Sequence, residues 1–348
     1  MRILLATDAW PPQVNGVVRT LQQIRTECEA LGHQVEVISP DLFVTMPCPT
    51  YPEIRLALWP GKRIGRTLDQ FATDCVHIAT EGPIGMAARR QCIRRGLPFT
   101  TSYHTRFPEY LSARFPAPVA LGYAWMRWFH RSSAGVMVAT LTIRRELEAR
   151  GFRNIRDWSR GVDTGLFRPD HQPALLLPRP VYLYVGRLAV EKNLQAFLEL
   201  PLEGGSKLVV GDGPQLGELR RRYPKAHFAG ARHGEDLARH YVAGDVFVFP
   251  SRTDTFGLVL LEALASGLPI AGFPVPGPLD VIGSSGCGVL DDNLESAARR
   301  ALAIPRERCR EYALQFTWRC SAEQFLANLC PVPQPSPGAC QRPRAAAE

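Results

Sequence analysis

Arg187 and Lys192 stand close behind an apolar run, in Val185-Gly186-Arg187-Leu188-Ala189-Val190-Glu191-Lys192-Asn193, and their types and spacing suit chemistry on a phosphate. The planar fork of an arginine grips two oxygens at once, and a lysine adds a compact second charge. At the end of a strand the two can take up the charge of a departing pyrophosphate without a metal. Read plainly, they are two solvated surface cations. A second segment runs from Pro250-Ser251-Arg252-Thr253-Asp254-Thr255-Phe256-Gly257-Leu258 to Glu262. A strand is expected to end at Pro250 and a helix to begin near Phe256 and Gly257. The amides of Thr255, Phe256, Gly257 and Leu258 can then point at a phosphate or sugar. Asp254 and Glu262 are carboxylates that accept paired hydroxyl hydrogen bonds, on a sugar and a ribose respectively. The alternative makes Asp254 a helix cap and Glu262 a solvated residue. Glu262 lies in an otherwise apolar run, however, and an acid there needs a partner.

Three further places offer less specific signals. In Asp8-Ala9-Trp10-Pro11-Pro12-Gln13-Val14-Asn15-Gly16, Gly16 is placed to open a helix whose bare amides suit a phosphate. The loop is equally a structural turn in which Asn15 caps the helix. Gly211 and Gly213, in Val210-Gly211-Asp212-Gly213-Pro214, permit close backbone approach to a base or ribose, or simply make a turn. His104, in Thr100-Thr101-Ser102-Tyr103-His104-Thr105-Arg106-Phe107, closes a strand. It can position an acceptor or bond a donor sugar, or serve the core alone.

Alternating apolar runs and helical patterns position these residues. Strands are expected at Ile3–Thr7, Gln34–Ile38, Val76–Ala79, Phe99–Tyr103 and Gly135–Val138, then at Val181–Val185, Lys207–Val210, His227–Ala229, Val246–Phe249 and Pro269–Gly272. Continuous apolar strands separated by helices imply parallel sheets covered on both faces. The pattern restarts at Val181 after a stretch rich in proline. The expected organisation is therefore an α/β domain over 1–168, a linker over 169–180, a second α/β domain over 181–305, a helix over 306–330 that crosses back to the first domain, and a disordered tail over 331–348.

The chain has 348 residues and a formal charge of +8. Residues 1–170 carry 22 Lys and Arg against 15 Asp and Glu, a difference of +7; the remainder carries 19 against 18, a difference of +1. An anionic partner for the first half, or a merely Arg-rich surface, accounts for this. Nine cysteines without a Cys-x-x-Cys pair argue against a zinc site or a disulfide framework and for a cytoplasmic setting. No apolar run reaches the length of a membrane span.

Taken in order, Pro-Pro-Gln-Val-Asn-Gly-Val-Val-Arg (11–19), His-Ile-Ala-Thr-Glu-Gly-Pro-Ile-Gly (77–85), Ser-Tyr-His-Thr-Arg-Phe (102–107), Arg-Gly-Val-Asp-Thr-Gly-Leu-Phe-Arg-Pro (160–169), Gly-Arg-Leu-x3-Lys-Asn (186–193), Gly-Asp-Gly-Pro (211–214) and the acid-x7-Glu segment (254–262) resemble glycosyltransferase family 4. The resemblance implies the GT-B fold: two Rossmann-like domains facing a cleft, the donor held mainly by the second and the acceptor by the first. It implies that Arg187 and Lys192 hold the diphosphate of a nucleotide-diphosphate sugar, that Gly16 approaches it from the other side, and that Glu262 binds the ribose. Asp254 and the amides near Phe256 and Gly257 would hold the sugar, with His104 beside it. The family's first acid is most often Glu, and here it is the shorter Asp254. The chain looks nearest to branches that glycosylate lipids, among them α-mannosyltransferases and sulfolipid or glycosyl-diacylglycerol synthases.

By this likeness a hexose passes, with retention, from GDP-mannose or a UDP-hexose to a lipid or glycan hydroxyl. No cofactor and no metal are expected, since no Asp-x-Asp pair stands in a suitable loop. Tyr123, Trp125, Trp128 and Phe129 beside Arg127, His130 and Arg131, with Arg89, Arg90, Arg94 and Arg95, suit a peripheral contact with an anionic membrane, on the inner face of the cytoplasmic membrane. The alternative turns the aromatics into the core. Other GT-B enzymes (an epimerase or a phosphorylase) and a non-catalytic nucleotide-sugar binder are the competing classes. A nucleic-acid partner is not expected, because no recognisable motif accompanies the basic half.

Overall fold

The computed structural model describes residues 1–13, 15–48, 51–112, 118–202, 204–254 and 256–333. The fourteen strands of the described residues are β1 (Arg2–Ala6), β2 (Gln34–Ile38), β3 (Thr45–Cys48), β4 (Tyr51–Ala57), β5 (Cys75–Ile78), β6 (Thr100–Tyr103), β7 (Gly135–Val138), β8 (Ile155–Asp157), β9 (Val181–Val185), β10 (Ser206–Val210), β11 (His227–Gly230), β12 (Val246–Phe249), β13 (Ile270–Gly272) and β14 (Gly288–Leu290). Two six-stranded sheets form, in the orders β2-β1-β5-β6-β7-β8 and β11-β10-β9-β12-β13-β14. Every pairing in both is parallel. The antiparallel pair β3–β4 stands apart from both sheets.

This topology decides where ligands can bind. Strand order reverses between β1 and β5 in the first sheet and between β9 and β12 in the second. At such a switch point neighbouring connections depart to opposite faces and leave a crevice beyond the carboxyl ends of the strands. The loop carrying Gly16 follows β1, the loop carrying Arg187 and Lys192 follows β9, and the loop carrying Asp254 follows β12.

The two lobes have separate cores. Ile3, Leu5, Leu21, Trp158 and Phe325 pack in the first, and Leu183, Phe247, Leu260 and Leu264 in the second. The chain crosses between them earlier than the proline-rich stretch at 169–180 suggests. Trp158 is packed in the first core, whereas Val162 and Phe167 are already in the second. Leu175 and Leu177, within the expected linker, pack against that second core. The return crossing also differs from the single helix expected over 306–330. A helix at Arg306–Ala313 buries Cys309 and Ala313 in the second lobe, and a separate helix at Trp318–Asn328 buries Trp318, Ala322 and Phe325 in the first. Thr317, whose side chain accepts from the Cys320 amide, starts the new helix. The two crossings touch, with the Val162 amide donating to the Phe316 carbonyl at 2.9 Å.

Pro331 bridges to Cys75 and the Val332 amide donates to the Asp74 carbonyl, so the expected tail begins as an ordered extension of the first lobe. Residues 334–348 lie outside the described residues. Among the described residues no helix is long and apolar enough to cross a membrane.

Candidate functional site

The site is assembled from loops that meet at the second sheet's switch point. After β9 the chain turns at Gly186, and the Tyr184 hydroxyl donates to the Arg187 carbonyl at 3.0 Å. The Leu188 amide donates to the Asp212 carbonyl at 2.9 Å, tying this loop to the one after β10. Gly211 and Gly213 are required here by the protein itself. A Cβ on Gly211 would lie 1.9 Å from the Gly186 carbonyl oxygen, and one on Gly213 would lie 2.5 Å from the Leu188 carbonyl oxygen. The absence of a side chain at both positions lets this loop seat against the Arg187 loop.

Lys192 closes a short 3₁₀ turn, Val190–Lys192, and its ammonium pairs with Asp254 at 2.5 Å. Arg187 lies 3.5 Å from Glu191. The Thr253 hydroxyl donates to the Glu191 carbonyl at 3.3 Å, and the Asn193 side-chain amide to the Pro250 carbonyl at 3.1 Å. The loops after β9 and β12 are therefore one unit, in which the side chains of Lys192 and Asp254 keep only 23% and 16% of their exposure while that of Arg187 keeps 36%. Asp254 Oδ2 is buried without a hydrogen-bond partner among the described residues. Phe256 is buried, and Gly257 adopts the left-handed conformation with φ 85° before the helix Leu258–Ala265. Thr255 lies outside the described residues.

Glu262, on that helix, is 3% exposed. Its partner comes from the other lobe: Arg19 Nη1 contacts Oε1, while the Tyr241 hydroxyl donates to Oε2 at 2.8 Å. Burial, then the neighbouring Glu262 charge, raises the Tyr241 phenol well above its ordinary range. Arg19 also lies over the Phe167 ring at 5.6 Å. Both lobes thus border Glu262, and the same helix faces Gly16, where a Cβ would stand 3.6 Å from Leu258 Cδ1. Asn15 takes the capping role: its Oδ1 accepts from the Val17 and Val18 amides, each at 3.0 Å. That side-chain oxygen caps the helix that Gly16 opens.

His104 follows β6 in the first lobe. Arg160 Nη2 stands 3.3 Å from its Nδ1, and the ring meets Trp158 edge-on at 5.7 Å. Burial, then the Arg160 charge, then His77 hold its pKa well below the ordinary histidine value, so it is neutral. His77 is a core residue bonded to the Thr100 and Ser102 hydroxyls at 2.9 and 2.8 Å.

The aromatic segment divides. Tyr123 and Phe129 are buried, whereas Trp125 and Trp128 are each 36% exposed and Leu121 is 66% exposed. Arg89 is no surface cation. It is buried, donates to the Phe129 and Trp128 carbonyls, and lies over the Trp128 ring at 4.2 Å. Arg95 pairs with Asp69. Among the described residues no group of three or more His, Cys, Asp or Glu residues could hold a metal ion.

The sequence reading missed Arg19, Tyr241 and Arg160. The signal for Arg19 was indirect: an acid in an apolar run implies an unseen partner. Arg160 sat in a noted motif without a role.

A family profile described as Glycosyltransferase Family 4 matches residues 14–166, and one described as Glycosyl transferases group 1 matches residues 179–305. The chain belongs to glycosyltransferase family 4. A GDP-mannose-dependent alpha-mannosyltransferase of Mycobacterium tuberculosis is 32% identical over 315 residues, covering 83% of each chain. An alpha-monoglucosyldiacylglycerol synthase of Streptococcus pneumoniae is 26% identical, covering 93% of this chain and 83% of its own. Among solved structures, sucrose-phosphate synthase from Thermosynechococcus elongatus superposes with a TM-score of 0.72 at 20% identity, over 94% of this chain and 97% of its own. This family 4 glycosyltransferase accordingly has the GT-B arrangement of two Rossmann-like lobes that the motifs implied.

Proposed function

We propose that this glycosyltransferase moves a hexose, with retention, from a nucleotide-diphosphate sugar to a lipid or glycan hydroxyl in glycolipid or envelope-glycan synthesis, without a metal. One observation carries the reading: at the second lobe's switch point Lys192 pairs with Asp254 and Arg187 with Glu191, and the next helix brings Glu262 against Arg19 of the first lobe. In this reading Arg187 and Lys192 hold the diphosphate and take up leaving-group charge, in competition with Glu191 and Asp254. Glu262 binds the ribose, Asp254 and the amides of Phe256, Gly257 and Leu258 hold the sugar, and Gly16 approaches the diphosphate. His104 bonds the reacting sugar. The leaving diphosphate accepts the acceptor's proton on the same face, so the protein contributes positioning and charge stabilisation rather than a nucleophile. The GDP-mannose-dependent mannosyltransferase among its relatives supports GDP-mannose as donor, and the monoglucosyldiacylglycerol synthase supports a lipid as acceptor.

A panel of sugar nucleotides scored by thermal shift identifies the donor, since a ligand bound by the fold raises the melting temperature. Arg187→Ala and Lys192→Ala should then each lower turnover by roughly 10²-fold or more. Near-unchanged turnover in either variant rejects the assignment, and loss of activity in EDTA rejects the metal-free mechanism. Leu121, Trp125 and Trp128 beside the exposed Arg127 and Arg131 support a peripheral contact with an anionic membrane on its cytoplasmic side. Flotation with anionic vesicles, and not with neutral ones, is the expected result; failure to float with either removes the membrane contact from the proposal.

A further inference from the structure

We propose that Arg160 is a positioning residue that fixes His104 as a neutral hydrogen-bond donor through Nε2, the form that can hold a sugar hydroxyl but cannot take its proton. The inference rests on the reading that places His104 beside the reacting sugar.

The geometry leaves His104 little choice. A guanidinium has donors and no acceptor. With Arg160 Nη2 donating at 3.3 Å, Nδ1 must offer its lone pair, so the proton of a neutral ring sits on Nε2. An imidazolium would set an N–H against the guanidinium N–H in a site where burial already opposes charge.

Arg160 is itself held firmly enough to impose this. Its Nη1 donates to the Trp158 carbonyl at 2.6 Å and the Ser159 carbonyl at 3.2 Å, and its guanidinium lies over the Trp158 ring at 4.2 Å. The same indole meets His104 edge-on, and its own N–H donates to the Ser321 carbonyl at 3.2 Å. Arg160, Trp158 and His104 are therefore one stacked unit. It stands where the chain leaves the first lobe: the next residue, Gly161, has no room for a Cβ, which would fall 2.3 Å from the Trp318 amide nitrogen of the return crossing. The residue that sets the His104 tautomer is thus part of the connection between the lobes. Arg160 is 4% exposed, and burial pulls its pKa down to about 9, which leaves it charged at neutral pH. Its partners among the described residues are two carbonyls and His104, not a carboxylate, so neutralising Arg160 leaves no unpaired buried acid behind.

The tautomer is read directly by ¹⁵N NMR of histidine-labelled protein, with His104 assigned by its loss in His104→Gln. Wild type should show the Nε2–H tautomer, without titration, from about pH 5.5 to 8. Arg160→Lys, which keeps a donor-only cation, should preserve it. Arg160→Met should admit the Nδ1–H tautomer and lower kcat by about 10-fold with little change in donor KM. His104→Gln, whose amide can stand in for Nε2–H, should retain more turnover than His104→Asn, and adding Arg160→Met to His104→Gln should cost little more. An Nδ1–H or charged His104 in wild type overturns the inference. So does an Arg160→Met variant whose tautomer and kcat match wild type while only its melting temperature moves. The NMR result needs no substrate, so it stands or falls separately from the transfer reaction; a correct tautomer with turnover indifferent to His104 would reject the sugar contact instead.

Discussion

The contact between Arg19 and Glu262 joins the lobes at the residue assigned to the donor ribose, and its worth can be worked out. Two unit charges about 4 Å apart attract by roughly 4 kcal/mol at an effective dielectric near 20. The Glu262 side chain is 4% exposed, but that of Arg19 is 38% exposed, so solvent screens part of this. What decides the cost of Arg19→Met is the carboxylate left behind, which among the described residues keeps the Tyr241 hydroxyl at 2.8 Å. A buried acid stripped of its cation costs several kcal/mol when fully enclosed; water entering from the exposed Arg19 side reduces that to about 1–3 kcal/mol. In a chain of this length each kcal/mol moves the melting temperature by roughly 2 °C, so a fall of about 2–6 °C is expected. Glu262→Gln removes the charge from the other side, and the double variant should be no worse than the poorer single one. The assay is calorimetric unfolding of the four proteins, with scanning that resolves the lobes should they melt separately. If the two substitutions add within about 0.5 kcal/mol, the ion pair does not couple the lobes and the reasoning is wrong.

Three other outcomes follow from particular residues. Gly211→Ala drives a Cβ against the Gly186 carbonyl from a backbone at φ 144°, and should cost more than about 3 kcal/mol or prevent folding; Gly217→Ala, on an open helical position, should instead stabilise by roughly 0.5–1 kcal/mol, both read from denaturant midpoints. His77 is held by burial at a pKa of about 3, so below its ordinary value near 6.5 the unfolded chain binds a proton that the fold refuses. Its contribution is constant above that value and is lost as pH falls, by roughly 2 kcal/mol between pH 6.5 and 5, and His77→Gln should flatten the measured slope of stability against pH by that amount. Burial pushes the Cys28, Cys92 and Cys309 thiols up to about 12, whereas Cys320 is exposed. Thiol labelling at about pH 8, read by mass spectrometry, should mark Cys320 in the native protein and reach the buried three only in denaturant; equal rates would show that they are not enclosed.

The chain's own pattern determined the strands that are buried on both faces. β1, β7, β9 and β12 are continuous apolar runs because helices cover them above and below, and such runs are readable without a partner. β8 and β14, of three residues each and only partly buried, left no pattern, and the β3–β4 pair is interrupted by Pro47 and Pro52. The same distinction governs the site. The positions of Arg187, Lys192 and Asp254 were legible because each lies in a loop directly behind a strand, a local arrangement that residue order alone conveys. Arg19 meets Glu262 across 243 positions of sequence and Arg160 meets His104 across 56. Periodicity reports whether a side chain is enclosed, as the lone acid in the Leu258–Ala265 helix shows, but not what encloses it. That is settled by how two lobes with separate cores dock and where the chain crosses between them, because an ion pair over such a gap depends on positions that local propensity does not fix.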